Sequence, residues 1–501
     1  METDKCCKLI KMLRTFSEDE FNDFERIASS PYFSHRRNYM PYIKALKKNF
    51  PKFEGEMFVN AKTRKYVHSI VHPDNGYNDQ YMKNIFTDLI QIAEETLCQK
   101  ISKKYNHYNQ IFLAIEETKR ELFHLANHNI NLVQQKLNET GLDEVYFFYK
   151  GMNEIASSIL ENKVHGRNHE TGKPVTSGEP FIYFSLILIA LSIYNSSARK
   201  AMLNLNEDHN FSHSFGKLID LDGLEKLLIS SDNPDSELIM IFLYYMFHYY
   251  RQPGYSNFKK MQELAFKNHH RFSPRMQFLI CSMLNSILYE IKKDIEPEKF
   301  GNEYHKIVTF SLKYKCYKVM ETSGFPFIRF RSFYLNALAI KEFDWVENFA
   351  KDYAAELAPD IREEVLCLVN ANLMFEKGEY DESFNELGKV KFRQLLSKFD
   401  MRVLKMKIFF EKGLCLYAEN SVDAFNKFIS NNKKLAMVFL DNFIIFSKYY
   451  KSLIDIAHDK VEEPLMILEE INNSSIFPER RWLLGKIEKF AKLKARYEIA
   501  Q

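Results

Sequence analysis

Apolar residues recur along most of this chain with the spacing of amphipathic helices. A period of about 3.6 residues is typical of an α-helix with one buried face. One such stripe consists of Met82, Ile85, Phe86, Leu89, Ile92, Ala93 and Leu97. Asn78 precedes this stripe, and Ser17 precedes another with Glu20 three positions later, as helix caps do. Strand-like alternation of useful length is absent, so the pattern predicts an all-α protein.

Breaks in the apolar pattern divide the chain. The pattern predicts a compact N-terminal bundle of about five helices over residues 1–105. It predicts a longer array of helices over residues 106–501. Further breaks are expected near residues 127–131 and at Gly141. The stretch 163–180 is rich in glycine and proline and has no apolar face, so it predicts an internal loop.

The stretch from Glu376 to Phe384 has the pattern of a tight turn between two antiparallel helices. One face of the upstream helix carries Ala371, Met374 and Phe375. The downstream helix faces it with Ser383, Leu387 and Val390. This unit, at about residues 363–396, resembles one tetratricopeptide repeat, a helix–turn–helix unit that stacks into a solenoid. The C-terminal half as a whole also resembles bacterial helical-repeat proteins that have no assigned activity.

Two further turns are predicted at residues 341–345 and 418–421, and Phe343 and Tyr380 are 37 residues apart. The resemblance therefore implies an N-terminal helical bundle followed by a TPR-like α-solenoid. Such repeats bind partners and carry no chemistry of their own.

The register of the repeat implies which side chains face the concave groove of the solenoid. These predicted partner-binding residues are Arg331, Leu335, Leu338, Val365, Leu368, Asn372 and Phe375. In the free protein, the polar members of this set would have water as their partner. The alternative, which the sequence leaves open, is that these residues pack between helices.

Composition argues against a nucleic-acid footprint over the whole protein, because 69 basic and 66 acidic residues give a net charge of only +3. Local basic patches remain candidates for phosphate contacts. They are Arg36, Arg37, Arg64, Lys65 and the C-terminal helix with Arg480, Arg481, Lys486, Lys489, Lys492 and Arg496. The alternative for the C-terminal helix is a polar cap over the last repeat.

Cysteine usage and hydropathy indicate the compartment. Among the seven cysteines, only Cys6 and Cys7 are adjacent, and the others are far from one another along the chain. No CxxC motif occurs, and this usage favours a reducing environment. The N-terminus lacks the apolar core of a signal peptide. The apolar runs 181–194 and 238–250 are shorter than the roughly 20 residues that span a bilayer. We therefore expect a cytoplasmic protein without a membrane partner.

Motifs for chemistry are weak. Four histidine pairs have the i, i+4 spacing of zinc ligands on a helix, but none is part of an HExxH motif: His68/His72, His124/His128, His165/His169 and His209/His213. Gly166 to Lys173 lacks the spacing of a phosphate-binding loop, and no GxSxG nucleophile motif occurs. We expect no catalytic residue, no cofactor and no metal.

The favoured hypothesis is a non-catalytic scaffold or adaptor that binds a peptide or helix of a partner protein in the solenoid groove. One alternative is a nucleic-acid-associated regulator that uses the basic patches. Another is a hydrolase or metalloenzyme whose site is assembled across helices.

Overall fold

The structure is a computed structural model that describes residues 8–33, 37–58, 61–104, 107–165, 178–203, 211–251, 253–318, 324–389, 391–432, 437–458, 464–474, 477 and 479–500. These residues form 24 α-helices and four short 3₁₀ helices, at Glu56–Phe58, His269–Arg271, Ile291–Lys293 and Ala354–Glu356. Apart from one isolated bridge between Leu142 and Phe272, they contain no β-structure. The prediction of an all-α protein is confirmed for this part of the chain.

The chain divides into two compact units. The first comprises residues 1–136 and 152–173, and the second comprises residues 137–151 and 174–501. The predicted boundary at residue 105 lies within the first unit, directly after its fifth helix. Whether residues 1–105 form an independent bundle stays a prediction.

Eight helices begin in residues 8–165. They are α1 (Lys8–Leu13), α2 (Glu18–Ser29), α3 (Met40–Lys47), α4 (Ala61–Val71), α5 (Asp79–Lys104), α6 (His107–Lys119), α7 (Phe123–Glu139) and α8 (Glu144–His165). Helices α1 to α5 share one core that includes the stripe predicted on α5. The predicted caps are confirmed: Ser17 and Glu20 form a reciprocal capping box, and Asn78 Oδ1 accepts from the Tyr81 amide at 2.9 Å.

The predicted break near residues 127–131 is wrong, because α7 runs through it. Ala126 and Ile130 are buried on one face of this helix, which outweighs the weak helix preference of its asparagines. The chain instead turns at Glu121, whose backbone is left-handed with φ 62°. The predicted break at Gly141 is confirmed between α7 and α8.

The second unit continues with sixteen helices in its described residues. They are α9 (Glu179–Leu203), α10 (Phe211–Gly216), α11 (Leu221–Ser230), α12 (Ser236–Tyr250), α13 (Tyr255–Asn268), α14 (Pro274–Glu290), α15 (Pro297–Lys313), α16 (Phe327–Ala339), α17 (Phe343–Tyr353), α18 (Pro359–Lys377), α19 (Tyr380–Glu386), α20 (Leu395–Glu411), α21 (Cys415–Asn431), α22 (Met437–Ala457), α23 (Pro464–Asn473) and α24 (Arg480–Ala500). Most helices from α11 onward pack against the next one along the chain.

Three tight turns recur in this unit with nearly the same geometry. Lys341, Gly378 and Gly413 each have a left-handed backbone, with φ of 63°, 85° and 65°, two residues before the next helix begins. The turns predicted at residues 341–345 and at Gly378 are therefore confirmed. The turn predicted at 418–421 is wrong, because those residues lie inside α21 and Gly413 makes the turn instead.

Helix α19 follows α18 directly after the turn at Gly378, and it is short. The Ser383 hydroxyl donates to the Ala371 carbonyl at 2.7 Å, and Leu387 is buried beside it, so α19 packs back on α18. Helix α19 has only seven residues. Val390, predicted to continue this contact, lies outside the described residues.

Helix α9 is longer than the apolar run that the sequence indicates. By length and composition, its segment Glu179–Ser197 is the one stretch of the described chain that could cross a membrane. The helix also packs within the second unit, against α12 and α22. Tyr183 on α9 shares a hydrogen bond of 2.7 Å with Ser236 at the start of α12. Most of the predicted loop 163–180 lies outside the described residues, between α8 and α9.

The left-handed turn gives a matched pair of glycine substitutions. A Cβ atom at Gly378 or at Gly485, which lies within α24, would meet no atom within 4 Å. Gly378→Ala should therefore lower the free energy of unfolding by about 1 kcal/mol through backbone strain alone. Gly485→Ala should raise it by about 0.5–1 kcal/mol, because alanine is the better helix former. Denaturant titration measures both, and effects of the same sign would contradict this explanation.

Candidate functional site

The predicted groove residues on α18 are buried inside the protein. Leu368 and Phe375 on α18 belong to a core cluster with Leu404 and Ile408 of α20, and Val365 is buried as well. The side-chain amide of Asn372 is buried and donates to the Leu368 carbonyl at 2.7 Å. These contacts correspond to the packing alternative that the sequence left open, and partner binding by these residues stays a prediction.

The predicted groove residues on α16 are also engaged within the chain. Leu338 is buried and Leu335 is partly buried. Arg331 forms a bidentate ion pair with Asp400 of α20, with both N–O distances at 2.6 Å. The partner of this arginine in the free protein is therefore a carboxylate rather than water. Only 17% of the Arg331 side chain and 10% of the Asp400 side chain are exposed.

A second buried cation lies close to this ion pair. Lys407 on α20 has only 2% of its side chain exposed. Its ammonium donates to Glu479 at 2.6 Å and lies 3.8 Å from Glu376. It also lies 4.2 Å from the centre of the Phe375 ring, in the geometry of a cation–π interaction. The Trp482 ring centre is 5.7 Å away, so two carboxylates and two aromatic rings replace the water that this ammonium loses.

Arg331, Glu376, Asp400, Lys407 and Glu479 together form what we call the charged seam. Burial is the largest single effect on the pKa of Arg331 and lowers it. The charge and hydrogen bond of Asp400, together with Tyr334 and Glu479, raise this pKa above its usual value. Burial raises the pKa of Glu376, although the Lys407 ammonium opposes this change. Both cations of the seam are held by carboxylates of the same chain. The seam links α16, α18, α20 and the start of α24 through these ion pairs.

Several basic side chains of the C-terminal helix form hydrogen bonds or ion pairs within the chain. Arg480 donates to the Ile471 and Asn472 carbonyls at the end of α23, and Arg481 donates to the Ala339 carbonyl. Lys486 pairs with Glu411 at 2.6 Å. Lys489 and Lys492 are exposed, and the side chain of Arg496 lies outside the described residues.

The basic residues near the N-terminus are also largely engaged. Arg37 pairs with Asp88 at 2.7 Å, and Arg64 pairs with Asp79 at 3.1 Å. Lys65 lies over the ring of Tyr77. Arg36 lies outside the described residues. The described part of this predicted patch is therefore partly neutralised by contacts within the first unit.

The histidine pairs do not converge on a metal site in the described residues, where no group of three or more potential ligands occurs. His72 hydrogen-bonds the Tyr42 hydroxyl at 2.8 Å, and the His68 ring packs against the His72 ring. His124 and His128 are exposed on α7. His169 and His209 lie outside the described residues, as do the side chains of His165 and His213.

An exposed apolar surface lies where α19, α20 and α21 meet. The rings of Phe384 and Phe409 are 5.7 Å apart, and Phe409 and Tyr417 are also 5.7 Å apart. Leu414 and Leu416 extend this surface along the turn and the start of α21. We call these five residues the aromatic ridge. Leu416 is 68% exposed and Tyr417 is 62% exposed.

Two cations border the aromatic ridge without an acidic partner among the described residues. The Lys405 ammonium lies 5.3 Å from the Phe384 ring centre, and the Arg402 guanidinium lies 3.7 Å from the Phe428 ring centre. Burial lowers the pKa of each, and Arg402 further lowers the pKa of Lys405. A carboxylate placed beside them would relieve both effects.

Sequence reasoning missed this surface, although a signal for it exists. Arg402, Lys405 and Phe409 are spaced i, i+3, i+7, which is one face of a helix. The apolar residues after Gly413 then begin the next helix. Assigning the turn to residues 418–421 placed Leu416 and Tyr417 inside the preceding helix, where exposure would not be expected.

No protein-family model matches the chain, and neither a curated protein nor a solved structure matches it.

The buried ion pair predicts an asymmetric response to mutation. Arg331→Ala should lower the free energy of unfolding by about 3 kcal/mol, because Asp400 then remains charged and partly buried without its partner. Arg331→Met combined with Asp400→Leu should lower it much less. Lys448→Ala is the control, since it removes an exposed pair with Glu470 and should cost less than about 1 kcal/mol. Equal losses for Arg331→Ala and the double variant would contradict the pairing argument.

Proposed function

We propose that this chain is a non-catalytic interaction protein that binds another protein through the aromatic ridge. The bound segment is apolar and carries acidic residues. The proposal retains the scaffold or adaptor function that the sequence favours, and it moves the contact from the groove to an exposed surface.

The observation that carries the proposal is the continuity of the aromatic ridge. Ring contacts link Phe384, Phe409 and Tyr417 across three helices, so the exposed apolar area is one surface rather than scattered side chains. Contiguous exposed apolar surface is unfavourable in water and marks interaction sites. Tyrosine and phenylalanine are also enriched at the centres of such interfaces.

The charges beside the ridge specify the chemistry of the partner. Arg402 and Lys405 have lost water through burial and have no carboxylate to replace it within the described chain. A partner carboxylate would supply that interaction and would also steer the encounter. An apolar segment without acidic residues would leave both cations unpaired and bind more weakly.

A second candidate rests on the same residues. Exposed rings beside cations are also the pattern with which proteins bind single-stranded nucleic acid. Leu414 and Leu416 favour a protein, because aliphatic side chains offer bases no stacking surface. The nucleic-acid alternative can be tested separately, because binding of nucleic acid would fall steeply as the salt concentration rises.

The ridge gives a direct mutational prediction. Leu416→Ser combined with Tyr417→Ser should weaken partner capture at least about thirtyfold, because central apolar anchors each contribute on the order of 1–3 kcal/mol. Folding should change by less than about 0.5 kcal/mol, since both side chains are exposed. Quantitative mass spectrometry of proteins captured from native lysate, followed by binding measurements with the purified partner, gives the readout.

The matched control is Leu227→Ser combined with Ile229→Ser on α11. These residues are 65% and 69% exposed, so they remove a similar apolar area elsewhere in the same unit. Lys405→Glu tests the acidic character of the partner and should also weaken capture. A labelled single-stranded oligonucleotide, bound by the wild-type chain and lost in the ridge variant, would assign the ridge to nucleic acid. Equal capture by all variants would refute the proposal.

A further inference from the structure

Helix α23 presents apolar and acidic side chains together on its exposed face. Its other face packs inward, where Ile471 is buried in the core that α20, α21, α22 and α24 share. Leu465 and Met466 are 70% and 60% exposed. Glu469 and Glu470 follow one helical turn later and are also exposed. The exposed face of α23 is therefore an apolar segment with acidic residues, which is the chemistry that the aromatic ridge requires of its partner.

A surface hollow of about 380 Å³ lies beside this face, between α22 and α23. Its lining residues are Tyr449, Met466, Glu469, Glu470, Asn473 and Ser474. Pockets of roughly 300–1,000 Å³ hold small ligands, so one protruding aromatic side chain fits into this hollow. The thioether of Met466 makes favourable contacts with an aromatic ring. The hollow thus suits an aromatic side chain that has cations beside it.

The carboxylates of this face are available to a second molecule. Glu469 forms no ion pair with a described residue. Glu470 pairs with Lys448 at 3.0 Å, and more than half of each side chain is exposed. Such an exposed pair contributes little free energy and leaves the carboxylate open to another cation. Arg402 and Lys405 at the aromatic ridge are the cations of this chain that lack an acidic partner.

The spacing of apolar and charged groups is the same on the two surfaces. On α20, Lys405 and Phe409 are four residues apart, which is about 6 Å along a helix. On α23, Leu465 and Glu469 are also four residues apart, but the apolar residue comes first. Two such helices that lie antiparallel bring Leu465 to Phe409 and Glu469 to Lys405 at once. The two surfaces therefore match in both charge and register.

We propose that the aromatic ridge of one copy of this chain binds the exposed face of α23 in a second copy. Tyr417 enters the hollow of the second copy, and Lys405 and Arg402 face the carboxylates of Glu469 and Glu470 there. This inference rests on the proposed function, because it names the partner of the same ridge. The ridge and α23 are different surfaces, so the contact is heterologous, and each associated pair keeps one free ridge and one free α23.

The test measures self-association of the purified full chain by analytical ultracentrifugation over a range of concentrations. The average mass of the wild-type chain should rise with concentration. Leu416→Ser with Tyr417→Ser should weaken association at least about thirtyfold, and so should Leu465→Ser with Met466→Ser. Circular dichroism checks that both variants fold. A wild-type chain that stays monomeric up to about 0.5 mM, near the weakest affinity that such a contact gives, would overturn the inference.

Mixing the two variants tests which surfaces meet. The ridge variant keeps an intact α23, and the α23 variant keeps an intact ridge. Each should be monomeric alone, whereas an equimolar mixture should form pairs of one chain of each kind. Mixing that leaves both variants monomeric would overturn the assignment of these two surfaces. Leu227→Ser with Ile229→Ser on α11 is the control and should associate as the wild-type chain does.

Charge reversal tests the predicted ion pair with variants that keep the apolar anchors. Lys405→Glu and Glu469→Lys should each weaken association about tenfold or more, because like charges then face each other. Both changes in one chain restore opposite charges and should return the affinity to within about threefold of wild type, as coupled positions do. Losses that simply add in the double variant would refute this pairing.

The outcomes for this inference and for the proposed function are distinct. A monomeric chain that loses a different purified partner when Leu416 and Tyr417 are changed would keep the proposed function and overturn self-association. Association that the ridge variant leaves unchanged would overturn this inference, and the capture experiment then decides the proposed function separately.

Discussion

The arrangement of the C-terminal helices in the second unit depends on the burial of one ammonium group. Removing a lysine cation from water costs several kcal/mol, and Lys407 recovers this only where Glu479, Glu376 and the Phe375 ring surround it. These groups come from α18 and from the residue that precedes α24. We infer that the charged seam selects one arrangement of these helices, because another arrangement would leave a buried charge without a partner. The Arg331–Asp400 pair extends this constraint to α16.

Local signals predicted the helices well because their physical causes are local. The Ser17–Glu20 capping box and the left-handed Gly378 turn each depend on atoms within a few residues along the chain. Asparagine residues misled the prediction for α7, since their weak helix preference is smaller than the gain from burying Ala126 and Ile130. The turn at Gly413 was missed although glycine is the expected residue there.

The sequence predicts the candidate site only in part, because the site depends on contacts between residues that are far apart along the chain. The register of the tetratricopeptide repeat that the chain resembles placed Arg331 and Phe375 on the same concave side. In the structure, both residues lie at the charged seam. Sequence could not show that α20 covers them, because Asp400 is 69 residues from Arg331 and Glu479 is 72 residues from Lys407. The aromatic ridge has the same origin: Phe384 and Tyr417 become neighbours only through Phe409 on the helix between them.

The pairing of the buried cations separates structural from functional positions. Arg331 and Lys407 have carboxylates inside the chain, so their charges are already used in holding helices together. Arg329, Arg402 and Lys405 have aromatic rings and neutral donors or acceptors but no described carboxylate, although burial lowers the pKa of each. An anion is what would complete each environment. Arg402 and Lys405 border an exposed surface, where the anion has to come from outside the chain.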